Sequence, residues 1–361
     1  MSIKINLFAI LVLSLMVMFT VSCEGPAGED GLAGTDGAVG AAGVDGADGM
    51  DGADGNVTCL SCHTQANMDA IDGLFALSGH SAGDYVGYAG GRGDCARCHS
   101  SEGFMDFLAG YDGEDIPYPS AWSCGTCHGS HGSLEEGLSA PLQTMLPVTM
   151  IEDGSVIDFD GASNLCANCH QSRRGSAYYE AIDSVWTDDI NGNDSLDFVV
   201  ADGSVYINSS HAGPHHGPQA NTLSGMGGYG TSSTGTHLNV GCVGCHMGDA
   251  TTTEGGHSFV PNLDNCTTAC HGSVTDIAAF MTEKADAVSA RLDAIAAELV
   301  IAGALGGDAT DGYHPNVSIV TEAQFKAFWN YMVVYEDHSH GLHNPGYFNT
   351  LLNEAEDFLG L

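Results

Sequence analysis

Positive charge is what this sequence most lacks. Its 361 residues hold 8 Lys and Arg against 46 Asp and Glu, a formal net charge of -38. A surface of that sign repels the phosphates of nucleic acid and of anionic bilayers, and excludes nucleic acid as a partner. It attracts basic proteins and cations instead. Long apolar runs are scarce too. One, Leu7 to Phe19, follows Lys4 and precedes small residues. That is the layout of a secretory signal, not of a spanning helix. Between residues 57 and 270 no long periodic apolar run occurs, so that region lacks the pattern of an ordinary helical or sheet core. Proline is missing where one would look for it: a Gly-x-y repeat from Gly25 to Gly55 contains only Pro26. Spare cysteine is absent as well. Twelve of the 13 cysteines fall into six close pairs, and Cys23 alone is left over.

The pairs carry the chemistry. Five read C-x-x-C-H: Cys59, Cys62 and His63; Cys95, Cys98 and His99; Cys124, Cys127 and His128; Cys166, Cys169 and His170; Cys242, Cys245 and His246. This is the attachment signature of c-type haem. Two thiols form thioethers to the porphyrin edge, and the adjoining imidazole turns onto the iron. Zinc sites also use C-x-x-C, but zinc does not need a histidine after every second cysteine. Histidine is 17 of 361 residues, so six such matches arise by chance about once in a hundred million for independent positions. The sixth pair, Cys266, Cys270 and His271, has one extra residue between its thiols. It reads as a bulged variant of the same site. The expectation is six covalently bound haems c, with the porphyrins supplying the missing core.

Six motif histidines leave eleven others, enough for a second histidine on every iron. Methionine, which raises the potential of a haem, follows no repeated pattern. His80 precedes the second motif, and His131 lies three residues after His128. Two histidines so close cannot grip one iron from opposite faces, so His131 is expected to cross to a neighbouring haem. His215 and His216 are adjacent, His237 precedes the fifth motif, His257 precedes the sixth, and His343 stands near the C-terminus. His314, His338 and His340 read as ordinary exposed histidines.

The strings HHGPQ (215–219), CVGCHM (242–247), HSFVP (257–261) and HNPGY (343–347) resemble those of the multihaem cytochrome c superfamily. That group includes pentahaem nitrite reductase and outer-surface electron conduits. The resemblance spans about residue 57 to the C-terminus. It implies second ligands at His343, His80, His131, His237 and His257, with one of His215 or His216 completing six. No C-x-x-C-K occurs, so the lysine-ligated active haem of nitrite reductase has no counterpart, and nitrite reduction loses its ground.

The ends suggest where the protein works. Residues 20–23, TVSC, loosely match a bacterial lipobox, which would make residues 1–22 the signal and Cys23 a lipidated first residue. The protein is then exported, as an outer-membrane or cell-surface lipoprotein, or a periplasmic protein if the signal is of the ordinary kind. Residues 23–56 add the collagen-like segment, with glycine at every third position. Two forms fit it: a trimeric stalk, or an extended tether of roughly 95 Å at ~3.1 Å per residue. In the stretch 186–198, Asp189, Asn191, Asn193 and Asp197 approximate an incomplete calcium loop, or else a solvated acidic turn.

The expected fold is mainly α with much irregular loop. A multihaem core at 57–272 is wrapped around its haems, and a helical region at 273–361 packs on it and supplies a distal histidine. Helices are expected over 276–302 behind Thr275, over 322–335 behind Thr321, and over about 346–358. Homodimerisation is implied by the resemblance alone. The function expected is electron relay to redox proteins or extracellular acceptors. An oxidoreductase acting on a small nitrogen or sulfur compound at one open haem, and a haem-bearing surface filament, are the alternatives.

Overall fold

A computed structural model of the chain describes residues 63–111, 113–129, 141–187 and 195–361. The signal segment, Cys23, the Gly-x-y repeat, Cys59, Cys62, His131, Asp189, Asn191 and Asn193 lie outside them. The chain divides into two units, Met1–Asp54 and Gly55–Leu361, and all described residues belong to the second. The expected regions 57–272 and 273–361 therefore fall in one unit.

The motif region is short helices and irregular chain. Helices α1 (Gly93–His99), α2 (Cys124–Cys127), α3 (Ser163–Ala167), α4 (Gly241–His246) and α5 (Leu263–Ala269) each carry at least the first cysteine of a motif. One turn of helix puts residues i and i+3 on one face, which is how C-x-x-C presents both thiols together. A small apolar cluster of Val148, Met150, Ile157, Phe159, Ala167, Ala220 and Leu223 lies here as well. Side chains thus supply part of the core expected from porphyrins alone.

The main core is C-terminal. Helices α6 (Ile277–Ile301), α7 (Glu322–Glu336) and α8 (Pro345–Leu359) pack together. Helix α7 is buried nearly all round, through Phe325, Phe328, Trp329, Met332 and their neighbours. Such a helix belongs at the centre of a core rather than on its surface. Thr321 caps it in a reciprocal box with Gln324. The cap of α6 differs from expectation: Asp276, not Thr275, accepts the Ala279 N–H. A carboxylate is the stronger acceptor and also favours the positive helix end. Arg291 of α6 forks onto Glu356 of α8 at 2.7 and 2.8 Å and ties the two helices.

Four two-stranded antiparallel ribbons had no sequence expectation behind them: β1 (Val148–Thr149) with β2 (Val156–Ile157), β3 (Ser184–Thr187) with β4 (Ser195–Val199), β5 (Ser204–Ile207) with β8 (Ser318–Thr321), and β6 (Leu305–Asp308) with β7 (Gly312–Pro315). The β5–β8 ribbon joins the motif region to the helical one, pairing Val205 with Val320. Asp197, expected in a calcium loop, lies in strand β4. Among the described residues no helix is long and apolar enough to cross a membrane.

A second tie runs through the fully buried Asn330. Its side-chain amide donates to Tyr229 O and Leu351 O, and its Oδ1 accepts the Tyr229 N–H. The loop comes so close that a Cβ on Gly228 would lie 2.6 Å from Leu351 Cδ2, which only glycine avoids. Trp329 Nε1 donates to Gly227 O at 2.7 Å. Trp329→Ala is therefore expected to cost about 3–5 kcal/mol, read as a lowered Tm with haem content unchanged.

Glu152 carries a pH-dependent liability. Burial, with Asp153 beside it, pushes its carboxyl up to about 7 against hydrogen bonds that include one from Asn221. A raised carboxyl binds more protons folded than unfolded, so stability falls as pH rises from about 4.5 to 7. Glu152→Gln keeps the carbonyl acceptor and removes the titration. We expect it to raise Tm at pH 8, by on the order of 1–3 kcal/mol of stability, and to leave Tm unchanged at pH 4. An equal gain at both pH values would refute the assignment.

Candidate functional site

Within each motif the backbone does the positioning. In α2 the His128 N–H bonds to Cys124 O at 2.9 Å, and after α3 the His170 N–H bonds to Cys166 O at 3.0 Å. Both span four residues, the α-helical reach. At the sixth motif the His271 N–H returns to Cys266 O at 2.8 Å, across five residues, while Cys270 N–H meets the same carbonyl at 3.1 Å. A local π-type turn absorbs the extra residue. The motif histidine therefore keeps its bond to the carbonyl of its first cysteine.

Five motif histidines each face one other histidine. The ring centroids of His80 and His170 are 6.1 Å apart, of His99 and His215 6.3 Å, of His128 and His257 6.1 Å, of His237 and His271 6.2 Å, and of His246 and His343 6.2 Å. Two imidazoles on opposite faces of one iron, each nitrogen about 2.0 Å from the metal and about 1.1 Å from its ring centre, place their centroids about 6.2 Å apart. Of the candidate second ligands, five are thus opposite a motif histidine. His216 is not: its ring Nδ1 is held by Glu336.

The ring nitrogens are prepared for this. Nδ1 of His246 lies 2.8 Å from Phe259 O, that of His237 2.8 Å from Leu342 O, that of His128 3.2 Å from Pro141 O, and that of His170 3.2 Å from Gln219 Oε1. Each partner is an acceptor, so Nδ1 carries the proton and Nε2 keeps a lone pair for a metal. His343 bonds instead to both carboxylate oxygens of Asp337 at 2.9 Å. Burial pushes the Asp337 carboxyl up, but hydrogen bonds from His343, Ser339 and Thr222 outweigh it and hold it below its ordinary range. A carboxylate behind a ligating imidazole makes that ligand more basic. Aromatic rings fix His80, whose centroid is 4.8 Å from that of Phe259 and 5.6 Å from that of Trp122.

The motifs are also neighbours of one another. The Cys169 thiol of the fourth motif donates to Arg97 O of the second at 3.6 Å, and the Val243 N–H of the fifth donates to Ser163 Oγ of α3 at 3.2 Å. Burial raises the Cys245 thiol, and Cys266, Cys242 and Cys270 beside it add to the rise; Cys127 lies within electrostatic reach of both Cys166 and Cys169. The fourth motif therefore touches the second and the fifth, has the third beside it, and the fifth has the sixth beside it.

All described motif cysteines and the ten paired histidines line one continuous cavity of about 2500 Å³. A single small ligand fills roughly 300–1000 Å³, so the space suits several large groups. Arg173 lines it too, and its buried Nε has no hydrogen-bond partner among the described residues. A carboxylate such as a haem propionate would satisfy that donor. Paired thiols, preoriented imidazoles at iron-spanning distance and an unmet cation all fit haem c. The sequence could not have pointed to Asp337 or Arg173, which act through the fold.

No family model matches the chain. The C-type polyheme cytochrome OmcB of Geobacter sulfurreducens is 28% identical over 218 residues, covering 52% of this chain and 28% of OmcB. OmcC of the same species is 28% identical over 207 residues, covering 47% of this chain and 25% of OmcC. The chain thus spans about a quarter of the length of these curated relatives. Among solved structures, the outer cell wall cytochrome OcwA aligns over 79% of this chain and 49% of its own, at 18% identity and a TM-score of 0.49. An undecaheme cytochrome from the S-layer of Carboxydothermus ferrireducens aligns over 86% and 38%, at 19% identity and a TM-score of 0.39. The chain is a multihaem c-type cytochrome.

Proposed function

We propose that this cytochrome is an exported electron relay carrying six haems c, each gripped by two histidines. The observation that carries the reading is the set of five histidine pairs at 6.1–6.3 Å, each joining one motif histidine to one other. Of the remaining candidates His216 is engaged by Glu336, which leaves His131 for His63. Bound haem supplies one-electron storage at a potential set by its ligands and surroundings. The chain's own residues hold the groups in sequence, and the bonds Cys169–Arg97 and Val243–Ser163, with Cys266 and Cys270 beside Cys245, support the order second, fourth, fifth, sixth motif, with the third beside the fourth. With two propionates per haem, carboxylates outnumber the 8 Lys and Arg of the chain. That negative surround favours the ferric state and lowers potentials. The acceptors are redox proteins or extracellular oxidants. Lipidation at Cys23, with residues 24–56 as a tether, would fix the relay to the outer membrane or cell surface.

A redox titration of the purified holoprotein tests this. A relay reduces and reoxidises all its haems reversibly, and dithionite-reduced protein does not consume nitrite, hydroxylamine or sulfite over many turnovers. Sustained consumption of any one of them would replace the relay by an oxidoreductase.

A further inference from the structure

His216, Glu336 and His338 stand together outside the iron-facing pairs. One ligand atom from each lies within 4.8 Å of the others. They come from two segments about 120 residues apart in sequence, joined by Glu336 accepting the His216 backbone N–H at 2.9 Å as well as its ring. Glu336 is 5% exposed and ends helix α7. Its neighbour Asp337 has His343 as counter-charge. Glu336 pairs with His216, whose side chain is 63% exposed, and Arg173 lies within electrostatic reach of that imidazole. Neither ring nitrogen of His338 is hydrogen-bonded among the described residues, and both histidines line the cavity. A buried carboxylate and two imidazoles that bring one ligand atom each within 4.8 Å are a donor set for a metal ion.

We infer that these three residues form a binding site for one divalent first-row transition metal. Two nitrogens and one carboxylate oxygen suit zinc, cobalt or nickel rather than calcium or magnesium, which take oxygen ligands. Three protein ligands leave a coordination position open to water. The His216 ring is 5.0 Å from that of His215, which faces His99. A cation bound there lies beside one haem and raises its potential. By linkage, reduction of that haem tightens the metal.

Zinc titration of chelator-treated holoprotein, followed by calorimetry and metal content, tests the site. The expected result is one zinc per chain, weakened at least about tenfold in His338→Ala and in Glu336→Gln, and unchanged in His340→Ala. Haem content and low-spin spectra of each variant establish folding. In a redox titration, zinc should move one step upward in the parent and none in His338→Ala. Absence of stoichiometric binding, equal loss in His340→Ala, or full binding by His338→Ala would overturn the site. The first of these is the result expected if the two histidines hold a haem propionate instead.

Discussion

Replacing His257 with alanine is expected to convert one haem in six to the high-spin state and to raise its potential. His257 faces His128 at 6.1 Å with ring planes 33° apart. It rides on a short turn, Gly256–Ser258, entered through Gly255 and Gly256 at φ 69° and 51°. A Cβ on Gly255 would meet Asp249 O at 2.2 Å, so glycine and backbone set this turn, and the imidazole is free for another task. Its loss should leave the fold intact and open one iron. Axial ligation tunes haem over about 0.8 V, so a shift on the order of 0.1 V is expected for losing one strong ligand. Paramagnetic resonance with potentiometry reads both effects. If every haem of the variant stays low-spin at an unchanged potential, His257 is not a ligand.

The double variant Cys266→Ser, Cys270→Ser should lose one haem and retain five. The sixth motif has three residues between its thiols where the others have two. Its π-type turn nonetheless sends both the Cys270 and His271 N–H groups to Cys266 O. That turn keeps the motif histidine bonded to the carbonyl of its first cysteine, as at His128 and His170. The haem-to-protein ratio and the intact mass measure the outcome. A parent protein that already holds five haems, and a variant that loses none, would make this motif an unused copy.

The cysteine–histidine motifs and their helical turns were legible because they are local. Cysteine spacing and the adjoining histidine operate within one helical turn, and so does the Thr321–Gln324 box. The 3.6-residue period marked helices α6, α7 and α8 to within a residue or two, for the same reason. The histidine partnerships were not legible. His80 precedes the second motif but faces His170 of the fourth, and His257 precedes the sixth but faces His128 of the third. Such partners are chosen by the folded path, and sequence distance carries no record of it. The β5–β8 ribbon, linking residues 204–207 to 318–321, escaped for the same reason, since each strand is only four residues long. Nor does any local pattern show that His215 faces His99 while its neighbour His216 is held by Glu336, a residue 120 positions away.

The proposed relay rests on two histidines at every iron. The electron paramagnetic resonance spectrum of the fully oxidised protein, with haem content measured on the same sample, tests it most directly. Ring planes nearly perpendicular at His80–His170, 83°, and closer to parallel at His128–His257, 33°, should give low-spin signals of different anisotropy. Low-spin intensity equal to six haems per chain is expected. A high-spin signal amounting to about one haem would contradict it.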